Sequence, residues 1–184
     1  LVEAFLAWIE ATPGRGDFWR DRAAALIEVA QRRMIQPEIC AIPEVFDSEW
    51  TPVRDEAGLL VEPGHQFEWG WLLARWSAMT GTLEPLEHAM RLAATAEDHG
   101  IDTDGIAIEA MNELFEPRDK SARLWAQAER AKFWHTINYH PLLRDADKAG
   151  ALEKRDAALA ALATFWADAR PGLWREVRLA DGGF

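Results

Sequence analysis

The sequence predicts an all-α protein built from antiparallel helical hairpins, with short β-hairpin excursions between the pairs. Three observations predict it. Apolar residues recur at the i, i+3, i+4, i+7 spacing of a helix face through most of the chain. The helical stretches come in pairs of similar length joined by short breaks. Two other segments, 40–62 and 101–120, carry prolines and turn signals too dense for a helix.

The first helix is predicted from Leu1 to Ala11, where Val2, Phe5, Leu6 and Ile9 form one stripe. The string TPGRGD breaks it, and Asp17 is the expected N-cap of a second helix from Phe18 to about Gln36. Trp19, Ala23, Leu26, Ile27, Ala30 and Met34 supply its apolar face. From Cys40 to Glu62 a small hairpin is expected, turning at DEAG. Pro63 then opens a third helix, at a position where its missing N–H costs nothing. That helix runs to about Met79, and its partner from Leu83 to His99, stopped by Gly81 and Gly100 in turn. Residues 101–120 form the second excursion, with DTDG and EPRD as its turns. The last two helices are expected at Ser121–Tyr139, capped by Ser121, and at Lys148–Arg170, with a break at Pro141. The tail LWREVRLADGGF has room for one short strand. No domain boundary interrupts residues 1–184, and three similar pairs suggest a repeat in which each hairpin buries a face against the next.

Composition narrows the function. Lysine and arginine total 20 against 31 acidic residues, a formal charge of −11. A reader of nucleic-acid backbones needs a basic face, so nucleic acid is not an expected partner. No apolar run approaches the roughly 20 residues that cross a bilayer, and no membrane partner is expected. The N-terminal stretch lacks a basic n-region and a cleavage site, and Cys40 is the single cysteine; both point to the cytoplasm. Ten tryptophans stand beside one tyrosine, enough to pack a core and leave flat surfaces for sugar faces.

The chemistry concentrates in Glu62-Pro63-Gly64-His65-Gln66-Phe67-Glu68-Trp69. His65 and Glu68 share one helix face, on a helix that is apolar on nearly every other side. Polar groups there must find partners or open onto a wet cavity. A histidine near neutrality beside a carboxylate suits proton transfer. The same spacing also fits His65 bonded within the core with Glu68 paired to an arginine such as Arg75. A shared metal would want further ligands, and no second such pair is present, so no metal is expected. His88 and His99 read as structural, His135 and His140 straddle a helix end five apart, a spacing that does not suit one metal site, and Cys40 reads as a small buried hydrophobe.

PGHQFEWGWLL resembles the motif of the N-acylglucosamine 2-epimerase family, which includes mannose isomerases and cellobiose 2-epimerases. LVEAFLAWIEAT, LWAQAERAKFW and GLWREVRLADGG resemble further family segments, in the same order. The resemblance implies an (α/α)6 barrel, of which about three of six helical pairs are present, surrounding a cleft for a free reducing sugar. It implies aldose–ketose isomerisation or C2 epimerisation with no metal or redox cofactor. His65 and Glu68 match family active-site positions, and Trp125, Gln127 and Glu129 match a later motif expected to line the cleft. Trp69 is the other stacking candidate. The family's further histidines fall outside this chain, so it reads as a fragment expected to be inactive alone; homodimerisation is left open. Two other classes compete. A toroidal glycoside hydrolase would set two carboxylates across the scissile bond with His65 turned away. A helical-repeat binding module would pack His65 and Glu68 fully.

Overall fold

A computed structural model describes residues 1–12, 14, 16–167 and 170–184. Among them are six α-helices: α1 Val2–Ala11, α2 Gly16–Val29, α3 Pro63–Thr80, α4 Glu84–His99, α5 Leu124–Asn138 and α6 Ala151–Thr164. They pair as the sequence predicts, α1 with α2, α3 with α4 and α5 with α6. Helix α3 also lies against α1 and α5, so the odd-numbered helices form one row and their partners back it. Six short strands complete the described elements: β1 Arg54–Asp55, β2 Gly58–Leu59, β3 Ala110–Met111, β4 Pro117–Asp119, β5 Ala122–Arg123 and β6 Val177–Arg178. They pair antiparallel as β1–β2, β3–β4 and β5–β6.

Several boundaries differ from expectation. Asp17 sits inside the first turn of α2, where its charge favours the helix dipole, and does not precede it. Residues 13 and 15 of the TPGRGD break lie outside the described residues. The second helix does not run evenly to Gln36; it widens into a π-helical turn at Ala30–Met34, and Pro37 disfavours helix at the residue before it. EPRD is not a turn but carries β4; the reversal comes earlier, where Asn112 Oδ1 accepts the N–H groups of Leu114 and Glu116 at 2.9 Å each. Ser121 caps nothing, because Ala122 and Arg123 are taken into a strand against Arg178 and Val177 and α5 starts after them. That strand pair confirms the single strand expected in the tail. Helix α6 is shorter than predicted, running from the left-handed Gly150 to Thr164. The predicted continuation to Arg170 passes residues 168 and 169, which lie outside the described residues.

Helices α3 and α5 approach closely because α3 offers two notches. A Cβ at Gly64 would stand 2.6 Å from the Trp125 ring, and one at Gly70 would stand 2.9 Å from Phe133. Phe67, Leu73, Phe133 and Ile137 fill this contact and are fully buried. Each such side chain contributes about 1.5–3 kcal/mol through burial. The buried His140 ties the end of α5 back to α3, donating from Nε2 to Ala74 O at 2.9 Å while Nδ1 accepts from Leu142 N–H. Burial pushes its pKa down, which suits this neutral structural role.

Two glutamines anchor the excursions to the helices that follow them. Gln66, the fourth residue of α3, accepts the Ile42 N–H at 2.8 Å and donates to Ile42 O at 2.9 Å and to Glu62 O at 3.1 Å. Gln127, the fourth residue of α5, repeats the pattern on Ala107 N and O, at 2.8 and 2.9 Å, and on Arg123 O at 3.1 Å. The hairpins are therefore a true structural repeat. Gln127 is fully buried by these contacts, so it does not line a cleft as the sequence led us to expect. Gln127→Leu strips Ala107 of both partners, and a buried unpaired backbone group costs about 1–3 kcal/mol. Urea unfolding of this variant is expected to show a loss of that size for each group. An unchanged midpoint would mean the glutamine is not a structural anchor.

Candidate active site

The start of α3 is where the excursions and the helical row meet. Val61 and Met111 exchange both backbone hydrogen bonds at 2.9 Å, joining the segments that lead into the two central helices. Glu62 enters α3 in extended conformation, and His65 and Glu68 project from its first two turns. His65 Nε2 lies 3.9 Å from Glu68 Oε2, the shared face that their spacing predicts. The alternative pairing of Glu68 with Arg75 is not found; Arg75 binds Glu10 at 2.7 Å.

Both side chains open into one cleft of about 460 Å³, whose lining includes Glu3, Glu44, Trp50, Trp69 and an apolar wall of Ile42 and Leu72. They are about a third exposed there, 34% for His65 and 37% for Glu68. Trp69 lines the same cleft as His65 and Glu68. Trp125 does not line this hollow but covers the imidazole itself, with ring centroids 4.8 Å apart at 39°. Glu129 faces the same corner from α5, accepting from Trp71 Nε1 at 2.6 Å and pairing with Lys132 at 2.8 Å. Trp50 was not singled out in the sequence. Its φ of 65° is rare for a bulky residue, and Asp47 holds the turn by accepting the Glu49 and Thr51 N–H groups.

Electrostatics in the cleft follow from its crowd of carboxyls. Burial alone would lower the His65 pKa, but Glu44, Glu62 and Glu68 more than offset it and hold the imidazole above its ordinary 6.5. Burial, then the neighbouring Glu129, raises Glu68. Burial, then Glu44, raises Glu62. Burial also raises Glu109, against the pull of Arg123 at 3.0 Å. Carboxyls and an imidazole that are each perturbed upward in one cleft are candidates for proton transfer. Glu44, Glu62 and His65 also bring three donor atoms within 4.8 Å of one another. No spacing rule in the sequence pointed to Glu44, because it comes from the preceding loop.

These residues sit in a chain that matches the family model described as N-acylglucosamine 2-epimerase (GlcNAc 2-epimerase) over residues 1–183. The chain belongs to that family. Within the N-acylglucosamine 2-epimerase family, a curated protein of Rhizobium meliloti (strain 1021) named "Mannose-6-phosphate isomerase" is 36% identical over 185 residues, which are 100% of this chain and 47% of that protein. A sugar epimerase from a ruminal bacterium superposes with a TM-score of 0.79 at 19% identity, over 100% of this chain and 45% of its own. The cellobiose 2-epimerase of Bacillus thermoamylovorans B4167 gives 0.79 at 19% identity, over 99% of this chain and 44% of its own. A D-mannose isomerase gives 0.78 at 19% identity, over 99% and 48%. The helical-hairpin architecture is therefore shared with these structures, and the chain spans about half the length of the relatives it matches.

The other imidazoles lie apart from this corner. His88 pairs with Gln31 at 3.0 Å beside a smaller hollow of about 260 Å³, which Cys40 also lines, and His99 stacks on Phe115 at 4.0 Å. No helix among the described residues is long and apolar enough to cross a membrane.

Proposed function

We propose that this chain supplies one half of the sugar cleft of an isomerase. It would act on a free reducing sugar of the mannose, glucose or N-acetylglucosamine type, by aldose–ketose isomerisation or C2 epimerisation. The observation that carries this reading is the joint opening of His65 and Glu68 into a single hollow walled by Trp50 and Trp69. Tryptophan faces suit the C–H side of a pyranose, and the carboxyls of Glu3, Glu44 and Glu68 suit its hydroxyls.

The proton α to a sugar aldehyde is weakly acidic, so its removal needs a placed base and support for the oxyanion that forms. Neutral His65 takes the C2 proton through Nε2, leaving an enediolate that becomes the cis-enediol when O1 takes up a proton. Returning that proton to C1 as the O2 hydroxyl gives up its own makes the ketose; returning one to the opposite face of C2 as the O1 hydroxyl gives up its own makes the epimer and requires a second acid–base group across the sugar. Glu68, protonated more readily than an ordinary carboxyl, donates to a sugar oxygen or steadies the imidazolium. The oxidation of C2 and the reduction of C1 balance within the sugar, so the chemistry requires no redox cofactor. The relatives named for mannose and cellobiose chemistry support this class of substrate.

A hydrolase reading wants His65 turned away from its carboxylate partner, and the 3.9 Å approach of Nε2 to Glu68 runs against it. A purely packing role wants both side chains dry, and both are a third exposed. A cytoplasmic location fits the single cysteine.

Incubating the full-length protein with a panel of aldoses in deuterated water tests the reading. Ketose or C2 epimer is expected from at least one sugar, with deuterium at C1 or C2 wherever the base exchanges with solvent. Neither product nor label from any aldose would refute it.

A further inference from the structure

We propose that Glu44 is the positioning residue of His65: its carboxylate takes the Nδ1–H, which fixes the ring and its tautomer and presents Nε2 to the cleft. The proposal rests on His65 being the acid–base group. Nδ1 is shut off from solvent and lies 2.8 Å from Glu44 Oε2, with its N–H turned away from the line that would make the hydrogen bond. A buried ring N–H without an acceptor costs about 1–3 kcal/mol. A side-chain rotation that turns the N–H onto Oε2 removes that cost; as the side chains stand no atom meets Nδ1 in bonding geometry, and Glu44 Oε2 is the nearest acceptor.

Glu44 is itself held in place. Its N–H binds Leu60 O at 2.9 Å, and its Oε1 accepts the Glu62 N–H at 3.4 Å. Trp125 covers one face of the imidazole, which hinders the ring flip that would exchange its two nitrogens. On the other edge Nε2 faces Glu68 and the cleft. The tautomer matters because only an unprotonated Nε2 can accept a proton from carbon; with the proton on Nε2 the ring is inert as a base.

Other charged groups face the ring and must be separated from Glu44. Glu62 Oε2 is 3.2 Å from Nδ1, from the turn before α3. It stands farther from the ring nitrogen than Glu44 does, 3.2 Å against 2.8 Å, and is the weaker contact on geometry. Glu109 is drawn toward Arg123, and Glu129, beyond Glu68, toward Lys132. Glu3 adds negative charge near Glu68 from α1.

The test is ¹⁵N NMR of histidine-labelled full-length protein, with kinetics on the same samples. Wild type should show neutral His65 protonated at Nδ1. In Glu44→Ala that preference should disappear and kcat should fall about 10–100-fold, with KM changed by less than about threefold. Glu44→Gln keeps an acceptor oxygen, so it should retain the Nδ1–H form and recover most of kcat. With the negative charge gone, its acid limb should move to lower pH. A wild-type His65 protonated at Nε2 would overturn the proposal, as would Glu44→Ala with unchanged kcat. So would a tautomer that responds to Glu62→Gln and not to Glu44→Ala, or activity lost to a chelator and restored by a divalent cation. The NMR result reads the Glu44 contact whether or not His65 proves to be the base, so failure of the two assignments can be told apart.

Discussion

His65→Ala in the full-length protein is expected to lower kcat on the preferred aldose by about 10²–10⁴-fold, the range a placed acid–base group contributes. Deuterium exchange at C2 should fall with it. The fold should survive, because the imidazole is only half-buried and makes no hydrogen bond that spans the core; its loss uncovers one face of Trp125. Circular dichroism and the unfolding midpoint should stay close to wild type. The pH profile supplies an independent check of sign. As a base His65 must be unprotonated, and Glu44, Glu62 and Glu68 raise its pKa beyond what burial takes away. The acid limb of kcat/KM should therefore lie above the ordinary imidazole value of 6.5, with activity lost as the pH drops through it. A variant with turnover within tenfold of wild type would end the catalytic assignment.

The largest effect on stability is expected at Arg130, far less visible in the sequence. Only 4% exposed, it grips Glu97 with two bonds of 2.7 and 2.8 Å and donates to Gly105 O at 2.9 Å. Trp134 Nε1 adds a bond of 2.6 Å to the same carboxylate. This unit ties α5 to α4 and to the loop before β3. Arg130→Met leaves Glu97 buried without its cation, and breaking a buried pair from one side costs about 3–5 kcal/mol. Urea unfolding followed by circular dichroism measures it. Pairing the change with Glu97→Leu should restore only part of the loss, since Trp134 then loses its acceptor. A single-variant cost below about 1 kcal/mol would show that the pair is not structural.

Much of the fold was legible because helical periodicity is local. The stripe of Val2, Leu6 and Ile9 is buried as its spacing predicts. Pro63 and Gly81 mark the two ends of α3, the glycine in left-handed conformation with φ of 74°. Ser121 misled because a cap residue is also an acceptable residue at the edge of a strand, and the strand forms only when Val177 and Arg178 return from the far end of the chain. Gln127 misled for a related reason. Its side chain could as well have faced a sugar, and what it binds is decided by where Ala107 is brought.

The sequence by itself determined that helices pair, where α3 begins, and that His65 and Glu68 leave it on one side, since each follows from the rise and turn of a single helix. Only the tertiary structure decided that Glu44 reaches Nδ1 from the loop before β1, that Trp125 covers the ring from α5, and that Trp50 joins Trp69 on the cleft wall. Those groups come from separate segments, and no local pattern encodes the meeting point. The close α3–α5 approach at Gly64 and Gly70 sets it, with the glutamine anchors that hold each excursion against its helix.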